Sequence, residues 1–319
     1  MSISLLALIV SSTLVYSAPL IFTALGGVFS ERSGIVNVGL EGIMVIGALA
    51  SVLFNLFFGD RFGNDLTPWL AVLAGGLAGV AFSLIHAVAT VHLRADHIIS
   101  GTVLNLIAPA LAVFLVRVIY DGRGETPSIA HSFGYDNIPL LSKIPVIGPI
   151  FFQTTSEPAF AGMIVAVLAW VVIYKTSFGL RLRSVGEHPQ AADTLGVNVY
   201  LMRYAGVLLS GLFGGIGGAV LANSITLKFT ISTIAGQGFM AMAAMIFGKH
   251  HPIGAMGAAI FFGFAQSLAV IGSRIPLIGN IPPVFLQIAP YVITIIVLVG
   301  IVGQSKGPAA NGTTYIKSK

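Results

Sequence analysis

The chain has 319 residues, of which 56% are hydrophobic and only 8% are charged, and its formal net charge is +5. An ordinary soluble domain has roughly 25% charged residues, so this composition, with a mean hydropathy of +0.95, indicates a protein embedded in a lipid bilayer. The chain has no cysteine, which excludes disulfides, thiolate catalysis and cysteine metal ligands.

Apolar runs of about 20 residues, long enough to cross the hydrocarbon core of a bilayer, recur along nearly the whole chain. We predict an all-α, polytopic membrane bundle of about 8–10 transmembrane helices. The first run is expected to be a retained span, because MSIS lacks the basic residues of a secretory signal. The predicted spans are 5–28, 35–58, 68–91, 98–120, 159–175, 204–222, 234–248, 253–272 and 284–303.

The seventh run, 234–248, is short for a complete crossing. We predict that it is half of a discontinuous or re-entrant helix and that the polar stretch NSITLKFTIST precedes it. If this segment does not cross, either the N-terminus changes side or the number of spans changes.

Lysine and arginine are shared unevenly between the two alternating sets of loops. The first set holds ten of these residues: Arg32, Arg94, Lys175, Arg181, Arg183, Arg203, Lys249, Lys306, Lys317 and Lys319. The second holds five: Arg61, Arg123, Lys143, Lys228 and Arg274. Because positive loops stay in the cytoplasm, we predict an outside N-terminus and an inside C-terminus. The chain is then one transmembrane domain (1–319) with an extracytoplasmic loop at 121–158 and a cytoplasmic loop at 176–203.

Enzymatic and nucleic-acid functions receive no support from the motifs. The positive charges lie in short loops where membrane topology accounts for them, so no nucleic-acid partner is expected. Zinc-hydrolase, nucleophile-elbow and phosphate-binding P-loop patterns are absent from the sequence. His250 and His251 are adjacent, and neighbours on a helix point about 100° apart, so they do not make a metal site. We expect no catalytic residue and no metal.

Glycine is abundant and clusters inside three spans, at 74–79, 210–219 and 254–265. Small residues at helical spacing let helix backbones approach closely in lipid, where the hydrophobic drive between helices is missing. The clusters therefore predict a tightly packed bundle.

Polar side chains within the spans are costly in lipid and tend to face a partner or a wet path. Asn37 and Glu41 are four residues apart, which predicts that they share one face of the second helix. Together with Asn105 and Gln237 they are candidate substrate-pathway residues, and mostly neutral groups suit a neutral polar solute. The alternative is that Asn37 and Glu41 only cap or brace helices. Gln266 is a further amide at membrane depth.

Two segments, SGIVNVGLEGIMVIGA (33–48) and STIAGQGFMAMAAMIFG (232–248), share a serine start, close glycines, one polar side chain and an apolar run. The predicted topology runs the first outward and the second inward. Inverted repeats with broken helices are a recurring transporter architecture, so the similarity between the two segments favours a transport function.

The loop at 176–203 is predicted to contain a short helix. Pro189 suits a first helical turn and Gly196 suits a helix end, which frames two turns of about 10 Å. A helix lying on the lipid surface is disfavoured, because residues 189–196 have little apolar face. A short helix held between two spans is well placed to receive force from a soluble partner.

The same loop carries a spaced set of glycine, arginine, glutamate and small apolar residues: Gly179, Arg181, Arg183, Val185, Gly186, Glu187, Ala191, Ala192, Gly196 and Val197. In this pattern the sequence resembles the coupling helix of the permease subunits of bacterial ATP-binding-cassette (ABC) importers for branched-chain amino acids, simple sugars and nucleosides. The segments ERSGIVNVGLEGIMVIGA, LRADHIISGTVLN and GQGFMAMAAMIFGKHHPIGA are also similar to segments of that family. Within that family, the sequences of these segments are most similar to those of the nucleoside-uptake permeases.

The resemblance implies a multi-pass permease of the bacterial cytoplasmic membrane that imports nucleosides, with guanosine-type purine nucleosides favoured. Implied partners are a separate ABC ATPase, which would bind the ATP, a second permease expected to be a different chain, and an extracytoplasmic substrate-binding lipoprotein. The permease itself would hold no cofactor. The ATPase-coupling residues carried over from the motif are Arg181, Arg183, Glu187, Ala191, Ala192 and Gly196.

Three alternatives remain open at this stage. A sugar-importing permease of the same family is the first. An ion-coupled secondary transporter, in which Glu41 is the protonation site and no ATPase is needed, is the second. A membrane scaffold that transports nothing is a remote third.

Overall fold

The computed structural model describes residues 3–134, 147–151, 156–272 and 307–317, together with Phe285, Ile288 and Val292. The described residues form helices and connecting turns and contain no β-strand, which confirms the predicted all-α class. The helices are α1 (Ile3–Arg32), α2 (Leu40–Ala87), α3 (His97–Ile119), α4 (Ile147–Phe151), α5 (Glu157–Lys175), α6 (Ser177–Glu187), α7 (Pro189–Thr194), α8 (Val199–Leu221), α9 (Gln237–Phe247) and α10 (Pro252–Ile271), and π-helical turns extend α2 (Val88–His92) and α8 (Ala222–Thr226).

Six helical stretches in this described part are long and apolar enough to cross a membrane. The longest, Leu40–His92, has 53 residues, which is about 80 Å of helix against a hydrocarbon core of about 30 Å. It is broken at Gly63, whose φ of 76° and ψ of 175° are not helical. The break separates two crossings, in agreement with the predicted spans 35–58 and 68–91. Of the ninth predicted span, 284–303, the structure describes only Phe285, Ile288 and Val292, so this span stays a prediction.

The loops gather in two groups at opposite ends of the bundle. At one end, which we call the basic end, Arg32 Nε donates to the carbonyl oxygen of His250 (2.9 Å) and the Gly312 N–H donates to the carbonyl oxygen of Gly34 (3.1 Å). These contacts join loops that the lysine and arginine count assigned to one side. The basic end consists of residues 33–36, 176–198, 248–251 and 307–317.

The opposite end holds the bend within α2, the loop 120–134 and the segment 227–235. There Lys228 Nζ forms an ion pair with Glu125 (2.8 Å). α1 begins near this end, where Leu8 and Ser224 line the same cavity. The start of α1 and residues 307–317 therefore lie at opposite ends, as the predicted topology requires. Which end faces the cytoplasm stays a prediction.

The crossing that contains α9 is discontinuous, as predicted. α9 has 11 residues, about 16 Å of helix, and at its end the His250 ring is 2.8 Å from the Glu31 carboxylate at the basic end. The preceding segment starts at the opposite end, where the Phe229 carbonyl oxygen accepts from the Thr126 N–H (3.0 Å). Non-helical backbone from 227 to 236 therefore covers the rest of the distance between the two ends of the bundle.

The second helix begins five residues later than predicted. Gly34 has a φ of 88°, and the Asn37 side-chain oxygen accepts from the Gly39 N–H (3.1 Å), so local turn bonds replace helical ones before Leu40. Asn37 therefore lies outside α2. The prediction that Asn37 and Glu41 share one helix face is wrong.

The glycine clusters perform the close packing that the sequence predicts. Both halves of α2 lie against α8 along glycines, and a Cβ added at Gly215 would collide with the backbone of Gly75 and meet that of Gly79. In the third cluster, a Cβ on Gly263 would collide with Ser17 of α1. Backbone-to-backbone packing without side chains thus holds the central helices together.

We expect Gly215→Ala to destabilise the folded protein by about 1–3 kcal/mol, because the new methyl group forces two helix backbones apart. Gly257→Ala is the matched control, since nothing lies within 4 Å of a Cβ there. It should be neutral or slightly stabilising, because alanine favours a helix. The measurement is the apparent Tm of the purified protein in detergent. Equal Tm values for the two variants would contradict the packing argument.

Candidate functional site

The side chain of Glu41 joins the beginnings of two helices. Its two carboxylate oxygens accept from the backbone N–H groups of Gly236 and Gly238, each at 2.6 Å. These N–H groups lie at the start of α9, where a helix leaves donors unsatisfied and carries partial positive charge. A Cβ on Gly238 would lie 2.5 Å from the Glu41 Cα, so the two backbones touch.

The two helices leave this contact in opposite directions. α2 runs away from the basic end, whereas α9 runs towards it. The segments 33–48 and 232–248, which resemble each other in sequence, therefore meet start to start, each with non-helical backbone in front of its helix. Their similarity in sequence favoured this arrangement of two broken helices.

Two further candidates, Asn37 and Asn105, brace the residues just before and within the start of α2. Asn37 is 2% exposed and donates to Ser210 Oγ of α8 (2.9 Å). Asn105 accepts from the Gly42 N–H (2.8 Å) and donates to the carbonyl oxygen of Val38 (2.9 Å). Both amides, like Glu41, hold the bent chain in place in this conformation.

The fourth candidate, Gln237, lines a cavity of about 140 Å³. Gln266 of α10 lies on the same cavity, and its Nε2 donates to the Met240 sulfur (3.0 Å), a weak acceptor. Pockets that enclose a drug-sized ligand measure about 300–1,000 Å³, so this one has room for part of a solute. The lining residues are Tyr16, Pro19, Leu20, Leu221, Ile225, Thr226, Ser232, Thr233, Gln237 and Gln266.

Hydroxyl groups make up the rest of the polar lining, and the sequence did not single them out. Thr226, Ser232 and Thr233 come from the non-helical crossing before α9 and the π turn of α8, and Tyr16 comes from α1. The polar stretch NSITLKFTIST contains Thr226, Ser232 and Thr233, so it is the sequence signal for this part of the lining. Gln237 and Gln266 are thus the two described candidates that combine membrane depth with a cavity.

The short helix predicted between Pro189 and Gly196 exists as α7, from Pro189 to Thr194, and Gly196 after it has a φ of 82°. Its role in coupling stays a prediction. The predicted coupling residues divide into two groups. Arg181, Glu187, Ala191 and Gly196 are exposed at the basic end. Ala192 is only 3% exposed.

Arg183 also belongs to the inward-facing group, because its guanidinium lies 4.8 Å from the centre of the Tyr174 ring. Arg183 and Ala192 therefore pack α6 and α7 against the rest of the bundle. Leu195, which the motif did not single out, is 85% exposed at the end of α7 and is the most exposed large apolar side chain among the described residues. An exposed leucine flanked by small and polar residues suits contact with a partner protein.

A family model described as "Branched-chain amino acid transport system / permease component" matches residues 9–302. The chain belongs to this permease family. The membership expected from the coupling-loop motif is confirmed, and the permease is a multi-pass membrane protein.

Similar proteins align over nearly the full length of the permease. It is 62% identical over 317 residues, 99% of each chain, to the nucleoside ABC transporter permease protein NupC of Lactococcus lactis subsp. cremoris. It is 56% identical, again over 99% of each chain, to the guanosine ABC transporter permease protein NupQ of Bacillus subtilis. The putative glucose ABC transporter permease protein TsgC13 of Haloferax volcanii is 29% identical over 91% of this chain and 90% of that protein.

Proposed function

We propose that the permease is the transmembrane subunit of an ABC importer that carries nucleosides, with purine nucleosides such as guanosine favoured, into the cell. The observation that supports this most strongly is the full-length similarity to NupC and NupQ, whose names give a nucleoside and guanosine. The glucose relative is about half as identical, so a sugar is the weaker candidate.

The cavity between α1, α8, α9 and α10 is the proposed part of the solute path. Two of its lining side chains are amides: Gln237 Oε1 accepts from the Ala235 N–H (2.5 Å), which leaves its NH2 group as a donor, and Gln266 donates to the Met240 sulfur, which leaves its oxygen as an acceptor. An amide donor and an amide acceptor pair well with the polar edge of a purine. Because the cavity is small in this conformation, passage of a nucleoside requires the start of α9 to move. Asn37, Glu41 and Asn105 would then act by positioning the helix starts that shape the path.

The energy for this movement is proposed to come from a separate ATPase, which binds and hydrolyses the ATP. Its contact is the exposed surface of α6 and α7, formed by Arg181, Glu187, Ala191, Leu195 and Gly196. The other proposed partners are a second permease subunit and a substrate-binding lipoprotein that meets the loop 121–158. This assembly lies in the bacterial cytoplasmic membrane, with the basic end in the cytoplasm.

The test is uptake of labelled guanosine into proteoliposomes that contain the permease with its ATPase, second permease and binding protein. We expect uptake that requires ATP and is competed by other nucleosides but not by glucose. Competition by glucose alone would favour the sugar importer. Uptake that persists without ATP and stops with a proton ionophore would favour the ion-coupled transporter.

A change at the cavity should alter the solute preference. Gln237→Leu removes a donor and an acceptor from the cavity at nearly constant volume, and an unmatched polar group on the solute costs about 1–3 kcal/mol. We expect the KM for guanosine to rise about tenfold or more with little change in ATPase rate. Gln266→Leu should behave alike, whereas Gly257→Ala on α10, where nothing lies within 4 Å of a Cβ, is the control and should leave the KM unchanged. An unaltered KM in both cavity variants would remove this cavity from the path.

A further inference from the structure

Residues 307–317, which we call the strap, lie across the basic end between the coupling helices and the α1–α2 turn. The Ala310 N–H donates to the carbonyl oxygen of Gly186, in the last turn of α6 (2.9 Å). Two residues later, the Gly312 N–H donates to the carbonyl oxygen of Gly34 in the α1–α2 turn (3.1 Å). The strap backbone therefore bonds to both elements at once.

Side chains from both elements strengthen this connection. Glu187 of α6 accepts from the Ala309 N–H (3.1 Å). On the other side, Asn311 donates to the carboxylate of Glu31, the penultimate residue of α1 (2.9 Å). Like the two backbone hydrogen bonds of the strap, these two side-chain bonds connect it to α6 on one side and to the α1–α2 connection on the other.

The strap also covers a buried cation. Arg203 of α8 is 1% exposed, and its Nη1 donates to the carbonyl oxygen of Thr313 (3.0 Å). Its guanidinium lies 5.9 Å from the centre of the Tyr315 ring, and Tyr315 is itself 3% exposed. A buried guanidinium that loses its acceptor is strongly unfavourable, so Arg203 holds the strap firmly in place.

The α1–α2 turn leads from the strap to both ends of α9. Beyond the turn, Glu41 accepts from the N–H groups at the start of α9. Before it, Glu31 lies 2.8 Å from the His250 ring nitrogen, just after the end of α9. The chain on the two sides of the turn is therefore bonded to α9 at both of its ends.

We propose that the strap is a positioning element for coupling, which makes α6, α7 and the α1–α2 turn move as one unit when the ATPase acts on α7. The displacement then reaches Glu41 and α9, next to the proposed solute path. This inference rests on the proposed function and assigns a role to a segment that lies outside the coupling-helix motif.

Gly312 offers a matched pair of variants. Its φ of 77° is disfavoured for any L residue, severely for a β-branched one and least for asparagine. Space does not decide the outcome, because a Cβ there would lie 3.5 Å from Val36, an ordinary contact. Gly312→Val should therefore detach the strap from Gly34, while Gly312→Asn should keep it attached.

The first measurement is the amount of guanosine imported per ATP hydrolysed by the reconstituted complex. For Gly312→Val we expect this ratio to fall about fivefold or more with the ATPase rate retained, and for Gly312→Asn we expect most of the wild-type ratio. A purely structural strap would lower uptake and ATPase rate together, and an unchanged ratio in Gly312→Val would overturn the proposal. A wild-type complex that imports no nucleoside would instead contradict the proposed function.

The second measurement does not depend on the solute. Because the chain has no cysteine, spin labels can be placed singly by Gln190→Cys on α7 and Lys249→Cys beyond α9, both of which are exposed. In the complex, we expect the label-to-label distance to stay constant between nucleotide-free and ATP-bound states when the strap is wild type or carries Gly312→Asn. With Gly312→Val it should change between the states. A distance that behaves alike in all three proteins would overturn the proposal.

Discussion

Replacing Glu41 by alanine should reduce ATP-driven guanosine uptake about tenfold or more while the protein still inserts into the membrane. The substitution leaves the N–H groups of Gly236 and Gly238 without their acceptors. Each buried donor left unpaired costs about 1–3 kcal/mol, and about 1.4 kcal/mol corresponds to a factor of ten. The start of α9 is the element that loses its position. Uptake is measured in proteoliposomes at equal permease content.

Glu41→Gln separates bracing from proton coupling. Glutamine keeps one acceptor oxygen but presents an amide donor to the other N–H, so a bracing role predicts uptake between those of wild type and Glu41→Ala. The pH profile of the remaining uptake should then match that of wild type. An ion-coupled transporter with Glu41 as its protonation site would instead lose all driven uptake with glutamine. Wild-type uptake in Glu41→Ala would contradict both roles.

Leu195→Asp should weaken the association of the permease with its ATPase about tenfold or more and lower uptake with it. Leu195 is 85% exposed at the end of α7, so the folded permease loses no internal contact when this side chain changes. A carboxylate placed in an apolar contact must give up its hydration without a partner, which costs several kcal/mol. The measurement is the Kd for the purified ATPase, with the Tm of the permease recorded in parallel.

Leu195→Met is the control for this variant, because it keeps an exposed apolar side chain of similar volume and should retain most of the affinity. Ala192→Asp is a poorer test of docking, since Ala192 is buried and a charge there would unfold α7 from the bundle. An unchanged Kd for Leu195→Asp would show that the ATPase contacts another part of the basic end.

Local patterns in the sequence predicted the elements and their order. The apolar runs predicted the crossings, because a bilayer demands a helix of a certain length wherever the chain enters it. The short run at 234–248 predicted the half-helix α9, and Pro189 with Gly196 predicted α7, because these residues act on their own few neighbours. The lysine and arginine count grouped the loops that the structure brings together at the basic end.

Contacts between distant parts of the chain were decided only by the tertiary structure. Asn37 could be placed on a helix by its spacing from Glu41, but its bonds to Gly39 and Ser210 put it in a turn. The hydropathy pattern around Glu41 did not indicate that Gly236, 195 residues away, supplies its partner. Which polar side chain faces a cavity and which braces a helix depends on such long-range pairings. Composition and residue spacing do not determine these long-range pairings, because both are local properties of the chain. The pairings are determined by the close approach of glycine-lined helices in the folded protein.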